Sequence, residues 1–187
     1  SRTTMANWVI SCAVTYLKVL YDYCHRLLVE RGFAMADETP VQVLKEEGRD
    51  ATAKSYMWLF RSGEDGTPPI ILYHYAPTRS GNTASEFLKG FRGYLMVDGY
   101  TGYNKVKDIK RCCCFAHIRR YFFVFFPKGK QRDISNPAVQ GVEYCDKLFA
   151  YERHFKEKGY SYKQIKNGRL KHEKPVIEAF LAWLEKQ

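Results

Sequence analysis

Gly93-Tyr94-Leu95-Met96-Val97-Asp98-Gly99-Tyr100 is the stretch on which the reading of this chain turns. Its apolar run, bracketed by Gly93 and Gly99, reads as a short buried strand with a carboxylate at its carboxyl end. An upstream stretch, Phe33-Ala34-Met35-Ala36-Asp37-Glu38-Thr39, repeats the pattern. Asp before Gly or before Glu-Thr is common turn chemistry, because Asp bonds its own backbone and tolerates tight geometry. Two such residues on neighbouring strands have a second use. Carboxylates held rigidly side by side can share one or two hard divalent cations, Mg²⁺ or Mn²⁺, through oxygen ligands. Such a site suits phosphoryl transfer.

Outward from these stretches the periodicity predicts the remaining elements. Ser1-Arg2-Thr3-Thr4 can cap a helix, and Trp8, Val9, Cys12, Ala13, Tyr16, Leu17, Leu20 and Cys24 follow helical spacing, which predicts one long leading helix. Strand patterns then run over Gly32 to Val43, Ser55 to Arg61 and Ile70 to Tyr75. The turn-rich separators around Gly48 and Gly63-Glu64-Asp65-Gly66 are of hairpin length, so these three strands should pair antiparallel. A short helix capped by Asn82 or Thr83 leads into the strand that delivers Asp98. That connection has the length of a crossover able to set this fourth strand parallel to the first. Arg111 to Phe115 reads as a fifth strand, with a helix beginning near Ala116. Beyond it the pattern is helical. Val142, Cys145, Leu148, Phe149 and Phe155 form an apolar stripe interrupted by Glu152, and Lys158 to Lys174 reads as a basic connector. Pro175 opens a last helix with Val176, Ile177, Phe180, Leu181 and Leu184 facing inward.

With 187 residues, 45% of them hydrophobic, the chain can bury one good core with a helical appendage. Its net charge of +10 should attract polyanions, nucleic acid first among them. The charge is clustered: Lys105 to Arg132 carries nine basic residues against Asp108 alone, and Tyr151 to Lys174 carries eight against three acids. The basic segments flank the acidic pair, as bringing phosphates to carboxylates requires; a solvated face without a partner is the plainer alternative. The six cysteines form no spaced disulfide framework, three being consecutive at Cys112 to Cys114. A reduced, cytosolic setting with buried thiols is expected, and a zinc site is disfavoured for want of a second ligand pair. No run approaches the roughly 20 apolar residues of a membrane helix, and no membrane partner is expected.

Three antiparallel strands, a helix, and a strand ending in Asp beside the first strand's Asp is the order of a ribonuclease-H-like α/β fold. The expected architecture is a mixed sheet, three antiparallel strands then parallel strands, with an N-terminal helix and a C-terminal helical insertion. Residues 1–30 form the helical lead-in, 31–126 an incomplete catalytic core and 127–187 the insertion region. Three stretches also resemble one family. Ala36-Asp37-Glu38-Thr39-Pro40-Val41-Gln42-Val43-Leu44, Gly93 to Asn104 with its Asp98-Gly99-Tyr100-Thr101-Gly102-Tyr103-Asn104, and Cys114-Phe115-Ala116-His117-Ile118-Arg119-Arg120 are similar to the catalytic region of insertion-sequence transposases of the IS sixty-six type.

The resemblance implies a DDE-type DNA transposase with Asp37 and Asp98 as the first two acids, catalytic and metal-binding. It implies two Mg²⁺ or Mn²⁺ ions in the complete enzyme and DNA as partner, both the insertion-sequence ends and the target. It further implies a homodimer for the complete protein and a bacterial cytoplasmic, nucleoid-associated setting. Arg119 and Arg120 would bind DNA phosphates, with Arg79, Lys105, Lys107 and Lys110 as weaker contacts. His117 matches a family His, read as structural beside an apolar strand end; Phe115 stands where the family has Trp, a volume-tolerant change. The third acid belongs to an Asn-Asn-x-x-Glu motif that this sequence lacks. Glu152 is a candidate substitute, although a carboxylate tip reaching out from a helix edge explains it as well. The expectation is a truncated copy or fragment, weak in metal binding. Catalysis, a DNA-binding remnant without catalysis, and another ribonuclease-H-like nuclease remain open, and the run Tyr121 to Phe126 is core, interface or damage.

Overall fold

The computed structural model describes residues 1–127 and 133–187, so Lys128, Lys130 and Arg132 of the first basic cluster lie outside the described residues. The chain divides into two compact units, Ser1–Cys113 and Cys114–Gln187.

In the first unit the leading helix runs as α1 (Arg2–Cys12), a π-helical segment (Ala13–Leu17) and α2 (Lys18–Val29), capped by Ser1, whose hydroxyl accepts the Thr4 N–H at 3.2 Å. Only its last turns meet the core. Leu28 is fully buried with Tyr21, Cys24, Leu27 and Val29 packed beside it, whereas Trp8, Val9, Ile10, Val14 and Leu17 are exposed.

The sheet comprises β1 (Phe33–Gln42), β2 (Lys54–Ser62), β3 (Ile71–Ala76), β4 (Gly93–Val97) and β5 (Ile109–Cys113), in the order β3-β2-β1-β4-β5. The pairs β1–β2 and β2–β3 are antiparallel, while β1–β4 and β4–β5 are parallel. The fifth strand starts two residues before the position the sequence predicts. Asp108, one of the residue types that tolerate left-handed backbone, takes φ 59 and turns the chain into Ile109. Pro40, which has no N–H to donate, sits where β1 pairs with β2 alone, since the β4 register covers only Phe33 to Met35.

Period-two alternation puts Ala34, Ala36, Trp58, Phe60, Leu72, Leu95 and Val97 on one face. Helix α3 (Gly81–Phe87) covers that face with Ala84 and Phe87, and Leu88 and Phe91 follow it into the core. Phe60 and Phe87 stack at 3.8 Å between ring centroids; full burial of such side chains contributes roughly 2–3 kcal/mol each. The α3 cap is Ser80, not Asn82 or Thr83: its hydroxyl accepts the Asn82 N–H at 3.3 Å. A 3₁₀ helix, Thr101–Lys105, packs against α3 so closely that a Cβ at Gly81 would lie 2.3 Å from the Gly102 carbonyl oxygen.

The second unit is helical: α4 (Phe115–Val124), α5 (Pro137–Glu157), α6 (Tyr162–Gly168), a π-helical segment (Arg169–Glu173) and α7 (Lys174–Leu184). Asn136 caps α5 by accepting the Ala138 N–H at 2.8 Å, and Pro137 supplies its preset first residue. The predicted stripe is buried at Val142, Cys145, Leu148 and Phe155, with Val139 added. Residues read as a connector are largely helix, because Ser161 and Gln164 form a capping box that starts α6. In α7 Phe180 is buried, but Leu181 and Leu184 are exposed, contrary to the inward face predicted. The run Tyr121 to Phe126 also divides: Phe122 packs on Phe180 and Trp183, while Phe123, Val124 and Phe125 are exposed. Of the six free thiols only Cys145 is buried, and Cys12 and Cys113 are exposed, so the expectation of buried thiols holds at one position.

Candidate active site

Asp37 and Asp98 occupy corresponding places on adjacent strands. The parallel register of β1 and β4 ends at Met35↔Met96, and each Asp lies two residues further along its own strand direction. The crossover through α3 produces this juxtaposition, since it returns the chain to the same side of the sheet and sets β4 in β1's direction. Neighbouring strands lie about 4.8 Å apart, so the two backbone positions are neighbours across the β1–β4 pair, Asp37 within β1 and Asp98 just past the end of β4. Each also keeps its turn chemistry. Asp37 Oδ1 accepts the Glu38 N–H at 2.9 Å, and Asp98 Oδ1 accepts the Tyr100 N–H at 2.8 Å. The two readings of these residues are compatible.

A third carboxylate, one the sequence reading passed over, sits beside them. Glu38 follows Ala34 and Ala36 in parity and so points to the covered face of β1, where its side chain is 0% exposed. Its Oε2 accepts the Tyr103 hydroxyl at 2.5 Å; its Oε1 accepts Arg79 Nε at 2.7 Å and lies 2.5 Å from Arg79 Nη2. Burial pushes the Glu38 carboxyl above its ordinary value, against the opposing pull of those Tyr103 and Arg79 bonds. Burial and the Glu38 bond likewise raise the Tyr103 hydroxyl far above its usual range. Arg79 stacks on the Tyr100 ring at 4.0 Å, its carbonyl accepts the Tyr100 hydroxyl, and its Nη2 lies 3.8 Å from Asp98 Oδ2. Asp98 is 13% exposed and the Arg79 side chain 42%.

The first unit thus brings Asp98 and Arg79 together with Glu38, Tyr100 and Tyr103, with Asp37 next to Glu38 on β1. Lys105, at the end of the 3₁₀ helix, donates to Asn82 Oδ1 at 2.8 Å; Lys107 is exposed, and Lys110 lies over the Tyr94 ring at 5.4 Å. The other predicted residues belong to the second unit. Arg119 is committed to Asp146, with N–O distances of 2.6 and 3.4 Å, while Arg120, its neighbour on α4, is exposed. His117 lies in the first turn of α4, its N–H donating to the Cys114 carbonyl at 3.0 Å. Glu152 receives both arms of Arg169 at 2.6 and 2.9 Å, which hold it below the usual carboxylate range. Beside it Glu173, 8% exposed, is pushed up to about 7 by burial and by the Glu152 charge.

In kind, the donor set of Asp37 and Asp98 fits a hard divalent cation, being carboxylate oxygen only, with waters or phosphate oxygens to complete the shell. In number it is short: among the described residues no group of three or more His, Cys, Asp or Glu is arranged to hold a metal ion. No helix among the described residues is long and apolar enough to cross a membrane.

A mixed five-stranded sheet that aligns two aspartates is found in a chain whose family is shown by sequence. The chain belongs to the Transposase IS66 family, whose model matches residues 1–187. It is 28% identical over 166 residues to the uncharacterized protein y4qI of Sinorhizobium fredii (strain NBRC 101917 / NGR234), covering 81% of this chain and 30% of that protein. It is 28% identical over 197 residues to the uncharacterized protein y4jD of the same strain, covering 98% of this chain and 37% of that protein. The chain therefore spans about a third of the length of these relatives. No solved structure matches.

Proposed function

We propose that this chain carries the first two acids of a DDE-type transposase site, which cleaves DNA at insertion-sequence ends and joins it to a target. The observation that carries the reading is the alignment of Asp37 and Asp98, two residues past the last β1–β4 register pair, in a transposase-family chain. The strand order β3-β2-β1-β4-β5, with β4 and β5 parallel to β1, supports a ribonuclease-H-like core over residues 31–126, with residues 127–187 as the helical insertion. Asp37 and Asp98 would hold Mg²⁺ or Mn²⁺ between them. When bound, two such ions activate an attacking water or 3′-hydroxyl and stabilise the leaving oxygen in an in-line displacement. The carboxylates themselves form no covalent bond to DNA. Arg79, Lys105, Lys107 and Lys110 on the first unit, with Arg119 and Arg120 on the second, would supply the phosphate contacts. A homodimer holding two DNA ends, in the bacterial cytoplasm at the nucleoid, completes the reading.

A binding-only reading is favoured by one observation, that no third metal-ligating side chain joins the aspartates among the described residues. Nicking of supercoiled DNA in Mn²⁺ separates the two. The catalytic reading predicts nicking that disappears in Asp37→Asn and in Asp98→Asn; salt-sensitive DNA retention with no nicking at any protein concentration would leave binding alone. Absence of salt-sensitive retention would remove both readings.

A further inference from the structure

The charged network around Glu38 has no use in the metal site, since its carboxylate is turned to the covered face and fully enclosed. What it does is fix one cation. A long, mobile guanidinium loses rotamer freedom when it is held in one place. Here Glu38 takes Nε and Nη2, the Tyr100 ring supports the guanidinium plane at 4.0 Å, and the Tyr100 hydroxyl holds the Arg79 carbonyl. Glu38 is held in turn by the buried Tyr103 of the 3₁₀ helix, which Gly81 lets approach α3 backbone to backbone, while a Cβ at Gly102 would strike the Tyr100 ring. The guanidinium ends 3.8 Å from Asp98 Oδ2 with its side chain 42% exposed. Guanidinium carries five donors in a planar fork. Two nitrogens face Glu38, and with 42% of the side chain exposed the guanidinium remains accessible to an incoming oxygen.

We infer that Arg79 is the residue that holds a DNA phosphate at the acid pair, and that Glu38 is its positioning residue, acting on DNA only through Arg79. The inference rests on the transposase-site reading of Asp37 and Asp98. Before DNA and metal arrive, Arg79 partly neutralises Asp98 and so competes with a cation for it. Once a phosphate is present, the same guanidinium binds the anion next to the carboxylates, where a preorganised donor is most effective. Arg79 therefore has opposite effects on the two ligands, which a purely structural role does not.

The test is a double-mutant cycle on the full 187-residue chain with Arg79→Gln, Glu38→Gln and the double variant. Each is measured for retention of a short duplex against salt concentration and for Mn²⁺ affinity by electron paramagnetic resonance. Arg79→Gln should weaken DNA retention about tenfold and reduce the salt slope by about one, while binding Mn²⁺ more tightly than the unaltered chain. Glu38→Gln should weaken DNA retention by a smaller factor, and in the double variant the loss should equal that of Arg79→Gln alone. If Glu38→Gln does not fold, Tyr103→Phe, which removes one bond to the same carboxylate, takes its place in the cycle. Additive losses, or an unchanged salt slope in Arg79→Gln beside clear retention by the unaltered chain, overturn the inference and leave the transposase-site reading standing. No salt-dependent retention by the unaltered chain overturns that reading itself.

Discussion

Glu152 is the one acidic residue of the second unit that sequence reading puts forward as a substitute third acid, and its surroundings make a quantitative prediction. It lies beside Glu173, which is 8% exposed, and both answer to Arg169. In the folded chain Glu173 binds its proton more tightly than in the unfolded chain, because burial and the neighbouring Glu152 charge oppose ionisation. Between the ordinary value of 4.5 and about 7 the native state therefore holds a proton that the unfolded state has released. Stability is full below 4.5 and falls as pH rises through this window. At roughly 1.4 kcal/mol per pH unit the cost approaches 3 kcal/mol by neutral pH. Glu152 works in the other direction and in another window, since a carboxyl held low loses its contribution only as pH falls below the ordinary range. Urea unfolding followed by far-UV circular dichroism at pH 4.5, 5.5, 6.5 and 7.5, on the chain and on Glu173→Gln, isolates the effect as a difference. Glu173→Gln should match the unaltered chain at the acid end and exceed it by about 2–3 kcal/mol at the neutral end. Parallel pH profiles for the two proteins would refute the raised Glu173 and its coupling to the Glu152 charge.

Gly81→Ala should lower stability by several kcal/mol and weaken DNA retention with it, because the new methyl meets the Gly102 carbonyl oxygen at 2.3 Å and forces the 3₁₀ helix away from α3; thermal unfolding and the retention assay check it. Phe180→Ala should destabilise the second unit by about 3–5 kcal/mol, since its ring is the shared neighbour of Phe115, Phe122, Tyr144 and Trp183, and loss of cooperative unfolding of the helical signal would show it. Arg120→Ala should reduce the salt slope of DNA retention by about one, whereas Arg119→Ala should change it less, because Arg119 is already paired with Asp146.

The sheet was legible because its strands alternate cleanly: Ala34, Ala36, Leu95 and Val97 report the covered face in the sequence as they do in the structure. Glu38 was harder to see as a site residue, because it lies inside the strand predicted over Gly32 to Val43 beside an Asp with turn chemistry; continuing the alternation of Ala34 and Ala36 by one step places it with the core. Arg79 was legible as a cation but not as a partner of Glu38, since the two are 41 residues apart and meet through the fold, not through any local pattern. The second unit was harder. A lysine-rich stretch containing Gly159 and Gly168 looked like a connector, yet only Gly159 adopts a left-handed φ, of 62°, and Gly168 continues a helix. Leu181 and Leu184 have the spacing of an inward face and remain exposed, so periodicity there names a stripe without naming its cover.

On the proposed reading Asp37 and Asp98 act as a pair toward a divalent cation. Its most direct test is Mn²⁺ titration of the 187-residue chain by electron paramagnetic resonance, without DNA, alongside Asp37→Asn and Asp98→Asn. Weak binding, completed by water, is expected, and each single substitution should abolish it while far-UV circular dichroism stays unchanged. Equal Mn²⁺ binding in all three proteins would contradict that reading.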